Sequence, residues 1–532
     1  MPLACQTNKL TFVSQDIAQP APSQTENKAP STAGMTTKVV KGSLWTMAGN
    51  VLPQAISLIT TPFTIRLLGA EGYGIVILIA LIPTYLGFAD FGMATASTKF
   101  GSEAYGEGDA DKEARIIRTS ALITFLSSFA VALVVMIFSS AVIDLFDIAA
   151  VYHADAVIAL RIAAVSFVLS TLSQVFNTPQ LTRLRMDLQT FITAGTRTFG
   201  HVATPIVLYF GFGIIGAVSV ICAAAFINLV WQIIVSRKLL PQLFDSGLEM
   251  PAIGKMLRYG SSIVIASVAV LLLNNIEKGL LAKTVSATAL GYYSIAFTLA
   301  TVITLFSAAM VQSLIPAFSQ LQTHEHREQL TSIYSRTIRL SMLWSLPVLL
   351  ILALTAKPFF TLWAGPDFGD ASSVPLYFLL VGLLFNIFAL IPHSVILASG
   401  RTDILAKLYW VELPPYILLV WWMSSKYGAA GAAAAWSIRV IVDAALHFYV
   451  ARSVLDIKFE GNALPGFALG TLIMSAPVAA AIYFGETNIL IVAIGIACVF
   501  GYGLIALRTI VTKEEAKWLF SMLKNKLAVF SD

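Results

Sequence analysis

Residues 213–238 read GIIGAVSVICAAAFINLVWQIIVSRK, an apolar run without a charge until Arg237-Lys238 closes it. A helix needs about 20 such residues to cross a hydrocarbon core of ~30 Å, and a terminal basic pair marks the cytoplasmic end. Comparable stretches follow one another from about residue 44 to residue 508. Fourteen begin near Leu44, Tyr73, Ile117, Ala154, Phe191, Gly213, Tyr259, Leu290, Thr337, Val374, Leu405, Gly428, Ala463 and Ile489. The expected fold is an all-α polytopic membrane protein with about fourteen transmembrane helices.

The basic residues set the orientation. Of 34 Lys and Arg, 27 fall on the side shared by both termini. Five (Arg66, Lys278, Lys283, Lys357, Lys426) fall opposite, and Arg161 and Arg439 lie deeper inside spans. The positive-inside rule places both termini in the cytoplasm. Composition agrees: 57% of residues are hydrophobic and 12% charged, against roughly 25% charged in a soluble domain. The net charge of +5 suits loops facing anionic membrane lipid and points to no nucleic-acid partner. Cys5, Cys222 and Cys498 are too scattered for a disulfide framework or metal cluster, and no cofactor is expected.

The halves of the chain match in step. Gly42-Ser43 recurs as Gly260-Ser261 (offset 218), Gly72-Tyr73 as Gly291-Tyr292 (219), and Arg118-Thr119 as Arg336-Thr337 (218). Gly213-Ile-Ile-Gly216-Ala217 recurs as Gly428-Ala-Ala-Gly431-Ala432, offset 215. Four ordered pairs at span boundaries indicate an internal repeat. A unit of six spans enters the membrane from the same side twice, so the copies are related by an axis along the membrane normal. The expected organisation is a disordered, proline-interrupted cytoplasmic tail at 1–37, a first lobe at 38–236 and a basic connection at 237–258. A second lobe at 259–452, two further spans at 453–510 and a cytoplasmic tail at 511–532 complete it. The two six-helix lobes would enclose a central cavity. Met35 opens MTTKVVKGSLW, which reads as a second translation start beside Met1. The segment Lys513–Phe530 has the pattern of an amphipathic helix on the inner leaflet, and a solvated terminal helix fits it as well.

Charges inside spans cost a few kcal/mol each and mark cavities, pairs or interfaces. At ~1.5 Å per residue, Arg439 lies roughly 17 Å into its span, with Asp443 at i+4 on the same face. Arg161 sits roughly 10 Å below an outer end, and Arg197 and His201 roughly 9 and 15 Å from the cytoplasmic side. Arg161, Arg197, Lys278 and Arg439 together suggest a cationic cavity for a phosphorylated ligand. Asp90, Glu277, Glu412 and Asp443 are the carboxylates available for ion coupling or gating. Plainer readings stand beside these: a structural Arg439–Asp443 pair, an interfacial anchor at Glu277-Lys278, and Asp90 bracing a helix end beside Gly87 and Gly92. Two other patterns fail. Gly211-Phe-Gly213-Ile-Ile-Gly216 fits a dinucleotide fingerprint but lies in a turn between spans, with no strand before it. His324-Glu325-His326 lacks the i, i+4 spacing of a helical zinc site.

Lys41-Gly-Ser-Leu-Trp45, Ile65-Arg-Leu-Leu-Gly-Ala-Glu-Gly-Tyr-Gly74 and Ala89-Asp-Phe-Gly-Met93 resemble the opening of Wzx-type polysaccharide flippases. These belong to the multidrug/oligosaccharidyl-lipid/polysaccharide exporter superfamily. Asn275-Ile-Glu-Lys278 with Ala289-Leu-Gly-Tyr-Tyr-Ser294 is similar to that family's seventh-to-eighth span signature, with Glu277 where Asp is usual. The resemblance covers about residues 38 to 510. It implies a non-enzymatic transporter in the bacterial inner membrane that moves an undecaprenyl-pyrophosphate-linked oligosaccharide by alternating access. A coupling cation (H+ or Na+) or the membrane potential would drive it, and polysaccharide polymerase or ligase machinery would be its partner. A lipid II flippase shares the diphosphate. A drug exporter of the superfamily would offer unpaired cavity carboxylates. A glycan polymerase would need a larger external loop than 357–373.

Overall fold

The computed structural model describes residues 32–245, 247–321, 327–459, 461–485, 488–512 and 515, with side chains described from Gly49 onward except at 50, 262, 266 and most of 305–320. The tail at 1–31, His324-Glu325-His326 and most of Lys513–Phe530 lie outside the described residues. Every long element is a helix, as a chain in lipid requires when each N–H and C=O must be satisfied internally. The first half comprises α1 (Thr32–Tyr85), α2 (Met93–Gly106), α3 (Ala110–Ile137), α4 (Ser139–Asp144), α5 (Ala150–Phe176), α6 (Thr178–Thr182), α7 (Met186–Tyr209) and α8 (Gly213–Leu239). The second half continues with α9 (Ile253–Thr284), α10 (Ala287–Gln320), α11 (Arg327–Trp363), α12 (Pro366–Ala398) and α13 (Thr402–Ser453). Two last helices follow, α14 (Leu464–Phe484) and α15 (Ile489–Thr509).

Among the described residues, eleven segments are helical, long and apolar enough to cross a bilayer, fewer than the fourteen read from sequence. The difference has two causes. Helix α7 carries Asp187, Arg197 and His201 and falls short in hydropathy. Helices α1 and α13 each contain two arms that double back at one residue, Gly69 (φ 72°) and Gly428 (φ 58°). Both turns use positive φ, where a side chain would strain the backbone. Contacts along α1 show the reversal. Gly49 packs against Thr190 near the start of α7, and Arg66 Nη2 donates to Leu362 O (2.9 Å) at the end of α11. Past Gly69 the second arm runs back beside α9: Gly74 meets Ala287 O, Tyr85 OH donates to Asn275 O (2.5 Å), and Gly92 meets Gly260. In α13, Trp410 bonds Ile265 O on the first arm, while Ser437 bonds Phe378 O on the second.

The halves meet through small residues. A Cβ on Gly74 would sit 1.8 Å from Ala287 O, and one on Gly291 would sit 2.7 Å from Ala70 O. These contacts are reciprocal: 217 positions separate Ala70 from Ala287 and also Gly74 from Gly291. Among the described residues, most buried apolar side chains of the second half join one large core that also takes in Ile65, with a small separate cluster at Ile396, Leu405 and Val450, whereas those of the first half fall into several smaller clusters.

Two ion pairs tie the connecting segments down. Arg115 Nε donates to Glu249 Oε2 (2.8 Å), and the Glu249 N–H donates to Thr119 Oγ1 (2.8 Å), holding the inter-half connection to α3. After α15, Thr512 and Glu515 bond reciprocally, N–H to Oε2 at 3.0 Å and N–H to Oγ1 at 3.3 Å, in the pattern of a capping box. Arg339 of α11 grips the same carboxylate through two bonds, of 2.7 and 3.2 Å. Burial alone would push the Glu515 carboxyl up, but Arg339 and the Thr512 N–H override it and hold it below the ordinary glutamate range.

Candidate functional site: a cavity system spanning both halves

Three cavities share walls. The first, about 780 Å³, lies among α2, α5, α7 and α8. The second, about 660 Å³, lies between the halves and shares Ala94, Thr95 and Gln174 with the first. The third, about 160 Å³, lies in the second half and shares Val270, Asn274 and Tyr409 with the second.

The first cavity is polar without being charged. Five amide side chains (Gln174, Asn177, Gln189, Asn228, Gln232) and six serine or threonine hydroxyls line it, with Arg197 as its one charge. Helix α7 turns Thr190, Ala194 and Thr196 into the protein and leaves Arg197 exposed to the cavity. The Arg197 guanidinium makes no hydrogen bond or ion pair with any described residue. Asn177 is buried, and its Oδ1 has no hydrogen-bond partner among the described residues.

In the middle cavity Asp90 has a local structural role. Its Oδ1 accepts from the Gly92 N–H (2.8 Å) and its Oδ2 lies 3.5 Å from the Ala94 N–H, capping the start of α2 while lining the cavity. Lys278 stands beside this cavity. Its Nζ donates to Asn275 Oδ1 (3.0 Å) and lies 4.5 Å from the centroid of the Phe297 ring. Glu277 points the other way and is fully buried, accepting from Tyr416 OH (3.2 Å) and Tyr293 OH (3.4 Å). That buried, tyrosine-held setting does not fit the alternative reading of Glu277 as an interfacial anchor.

The third cavity holds the densest charge. The reversal at Gly428 brings the two arms of α13 side by side, and Arg439 Nη1 lies 3.8 Å from Glu412 Oε2, with side-chain exposures of 11% and 3%. The guanidinium also sits over the Tyr416 ring, 5.4 Å from its centroid. The expected i, i+4 pair of Arg439 with Asp443 gives way to two other pairs. Arg439 faces Glu412 across the hairpin, and Asp443 Oδ1 lies 3.1 Å from His447 Nδ1. His447 Nε2 then contacts His393 Nδ1 (3.3 Å), which also meets Tyr409 OH (3.3 Å). Neither Glu412 oxygen nor Arg439 Nε has a hydrogen-bond partner among the described residues. Sequence reasoning missed His393, Tyr409 and His447. The Asp443–His447 spacing of four on one helix was the signal available for the last.

Arg161 is set apart. Helix α5 buries the face of Ala156, Ala159, Leu160, Ala163 and Ala164, so Arg161 points away from it. It is exposed, donates from Nε to Ser139 Oγ (2.9 Å), and lines none of the three cavities. Of the four cations expected in one cavity, the structure brings Arg197 and Arg439 into the connected system and Lys278 beside it.

The family model "Polysaccharide biosynthesis protein" matches residues 39–322. The chain belongs to this family. The match includes Asp90, Arg197, Glu277 and Lys278 and stops before the Glu412–Arg439 cluster. The chain is 24% identical over 427 residues to a Shigella flexneri protein named as an O-antigen transporter, covering 77% of this chain and 96% of that one. It is 24% identical over 185 residues to a Haloferax volcanii protein named as a low-salt glycan biosynthesis flippase, covering 35% and 39%. In fold it is similar to the lipid II flippase MurJ in an inward closed conformation (TM-score 0.65, 15% identity, 88% of this chain and 99% of that one). It is also similar to an inward-facing multidrug resistance transporter of the MATE family in the MOP superfamily (TM-score 0.64, 13% identity, 77% and 98%). At these identities the structural likenesses speak for the fold.

Proposed function

We propose that this family member is a flippase that carries a lipid-linked oligosaccharide, held through an undecaprenyl diphosphate, from the inner to the outer leaflet of a bacterial plasma membrane. The observation that carries the reading is the connected cavity system. Arg197, without a partner among the described residues, faces a wall of neutral amides and hydroxyls in one half, and a second arginine faces the same system from the other half. Amides and hydroxyls donate and accept hydrogen bonds, as sugar hydroxyls require, and guanidinium suits diphosphate. Arg197 and Arg439, with Lys278 beside them, bind the diphosphate, and the glycan occupies the first cavity. Family membership and the names of the two sequence relatives point the same way. The cargo crosses chemically unchanged, so the protein acts as a transporter and not as an enzyme.

Fourteen helical arms cross the bilayer in this reading, with both termini cytoplasmic and two lobes rocking about the reciprocal contact of residues 70–74 with 287–291. Glu412 and Asp443 are the groups that couple a cation or the membrane potential to the movement. Asp90 and Glu277 hold the cavity walls in place. Polysaccharide polymerase or ligase machinery receives the product.

The test is transport itself. Purified protein in liposomes should move undecaprenyl-diphospho-oligosaccharide between leaflets, scored by its accessibility to an added glycosidase. Deleting the gene should remove surface polysaccharide while lipid-linked precursor accumulates. Transport of lipid II at an equal or greater rate would assign the protein to the other substrate. Cysteines placed at 101–113 should be shielded from impermeant thiol reagents in whole cells, and those at 367–372 labelled. The reverse pattern would invert the orientation.

A further inference from the structure

The third cavity contains more ionisable groups than anion binding alone requires. Arg439 is the cation within ion-pair distance of Glu412, at 3.8 Å, and neither Glu412 oxygen accepts a hydrogen bond from a described residue. The carboxylate is 97% buried at its side chain by the same measure that leaves 3% exposed. Every other titratable or charged group packed about it belongs to four elements. Helix α13 supplies Tyr409, Tyr416, Arg439, Asp443 and His447; α12 supplies His393; α9 supplies Glu277, held by Tyr416 and by Tyr293 of α10.

We propose that an anionic diphosphate binding at Arg439 displaces Glu412 from the guanidinium, and that Glu412 takes up one proton in exchange. This deepens, and rests on, the reading of Arg439 as a diphosphate ligand. The physical reason is the cost of an unpaired buried charge. A carboxylate with no counter-ion and no donor in a low-dielectric site neutralises instead of staying ionised. Arg439 is shared while empty, because a 3.8 Å monodentate approach leaves its Nε unpartnered and its fork unfilled. A diphosphate offers the bidentate geometry that Glu412 does not provide here. Protons reach the site through groups already in contact. Tyr409 and Asn274 line both the middle and third cavities, and His393, His447 and Asp443 form a chain of contacts at 3.3 and 3.1 Å. No bond other than O–H is made: solvent supplies the proton, and Glu412 returns it when the anion leaves and Arg439 is restored to it. Glu412 is thus a positioning residue for Arg439, and its protonation reports that the site is loaded.

The experiment uses the full-length protein in detergent with undecaprenyl diphosphate as probe, and inorganic diphosphate as a second probe that lacks the lipid. Binding heats measured in buffers of different ionisation enthalpy give the protons exchanged on the unmodified protein. About one proton should be taken up per diphosphate beyond that taken up with Glu412→Gln. Affinity should fall up to about tenfold per pH unit as pH rises through the range where uptake occurs. Glu412→Gln should bind at least as tightly as the unmodified protein, because Arg439 is then uncontested, and should lose most of that pH dependence. Equal uptake by inorganic diphosphate shows that the anion alone drives the exchange; uptake only with the lipid form places the trigger in carrier binding at the same residues. Binding with equal proton uptake in Glu412→Gln, or with no uptake and no pH dependence in the unmodified protein, overturns the exchange while leaving the diphosphate reading standing. Absence of binding by both probes overturns that reading and the exchange with it.

Discussion

The two halves of this chain answer to similar sequence landmarks yet carry opposite kinds of polar interior. In the first half, eleven of the seventeen residues lining the large cavity are neutral amides or hydroxyls, and the one charge among them, Arg197, has no ion pair or hydrogen bond among the described residues. In the second half, Arg439, Asp443 and His447 line a small cavity, with Arg439 paired to Glu412 and Asp443 to His447. The difference teaches that a charge in a membrane span does two separable jobs. Arg197 faces an open, polar space and is free to meet a ligand. Arg439 is buried and neutralises a carboxylate before it meets anything else. The packing differs to match, with a continuous apolar core around the charged cluster and separate small clusters around the neutral cavity.

The largest expected effect breaks this comparison most directly. Arg439→Gln leaves Glu412 buried without its counter-ion, which should cost about 3–5 kcal/mol, seen as a lowered thermal unfolding midpoint in detergent. Adding Glu412→Gln should restore most of that stability, because no unpaired charge remains. Arg197→Gln should change stability by no more than ~0.5 kcal/mol, yet lower diphosphate affinity roughly 10- to 150-fold. Arg161→Gln should leave both measurements unchanged. If Arg197→Gln destabilised the protein as Arg439→Gln does, the division between a ligand-facing charge and a braced one would fall.

A smaller effect sharpens the relation between the halves. Gly74→Ala places a methyl group where only 1.8 Å separates it from Ala287 O, whereas Gly291→Ala has 2.7 Å to Ala70 O. Both should disturb assembly, by about 1–3 kcal/mol as overpacking does, with the Gly74 variant worse and surface glycan falling accordingly. Equal effects would mean that the backbone yields, and that the reciprocal contact is looser than its geometry.

The smallest expected effect lies outside the membrane. Because Arg339 and the Thr512 N–H hold the Glu515 carboxyl below the ordinary glutamate range, the clasp contributes in full above that range. It is lost as pH falls through the depressed value, since the detached group takes its proton first. Protection of the Thr512 and Glu515 amides, as the intrinsic rate divided by the observed exchange rate, should therefore fall below about pH 4, and Glu515→Gln should show reduced protection already at neutral pH. Unchanged protection in that variant would mean that the capping hydroxyl alone holds the turn.

Much of the architecture was legible from one-dimensional properties. Whether a segment is long and apolar enough to lie in lipid depends on composition summed along it, so α5, α8, α12 and α15 could be read directly from the chain. The Gly72-Tyr73 and Gly291-Tyr292 steps marked equivalent span starts in the sequence, but that the halves meet at Gly74 and Gly291 is seen only in the structure. Helix α7, read from the chain as a span near Phe191, is the weakest of the set, since Asp187, Arg197 and His201 lower its hydropathy. The partners of the charges were a different matter. Spacing along one helix suggested Arg439 with Asp443, because i and i+4 share a face. The turn at Gly428 instead brings Glu412, 27 positions earlier, within 3.8 Å of that guanidinium, and leaves Asp443 to His447. Arg161, like Arg439, lies inside a span by sequence, yet the packing of α5 points it away from the cavity. Lipid exposure is a property each segment carries by itself, so the sequence alone determines it. Which charge faces which depends on how helices rotate and fold back against one another, and only the tertiary structure decides that.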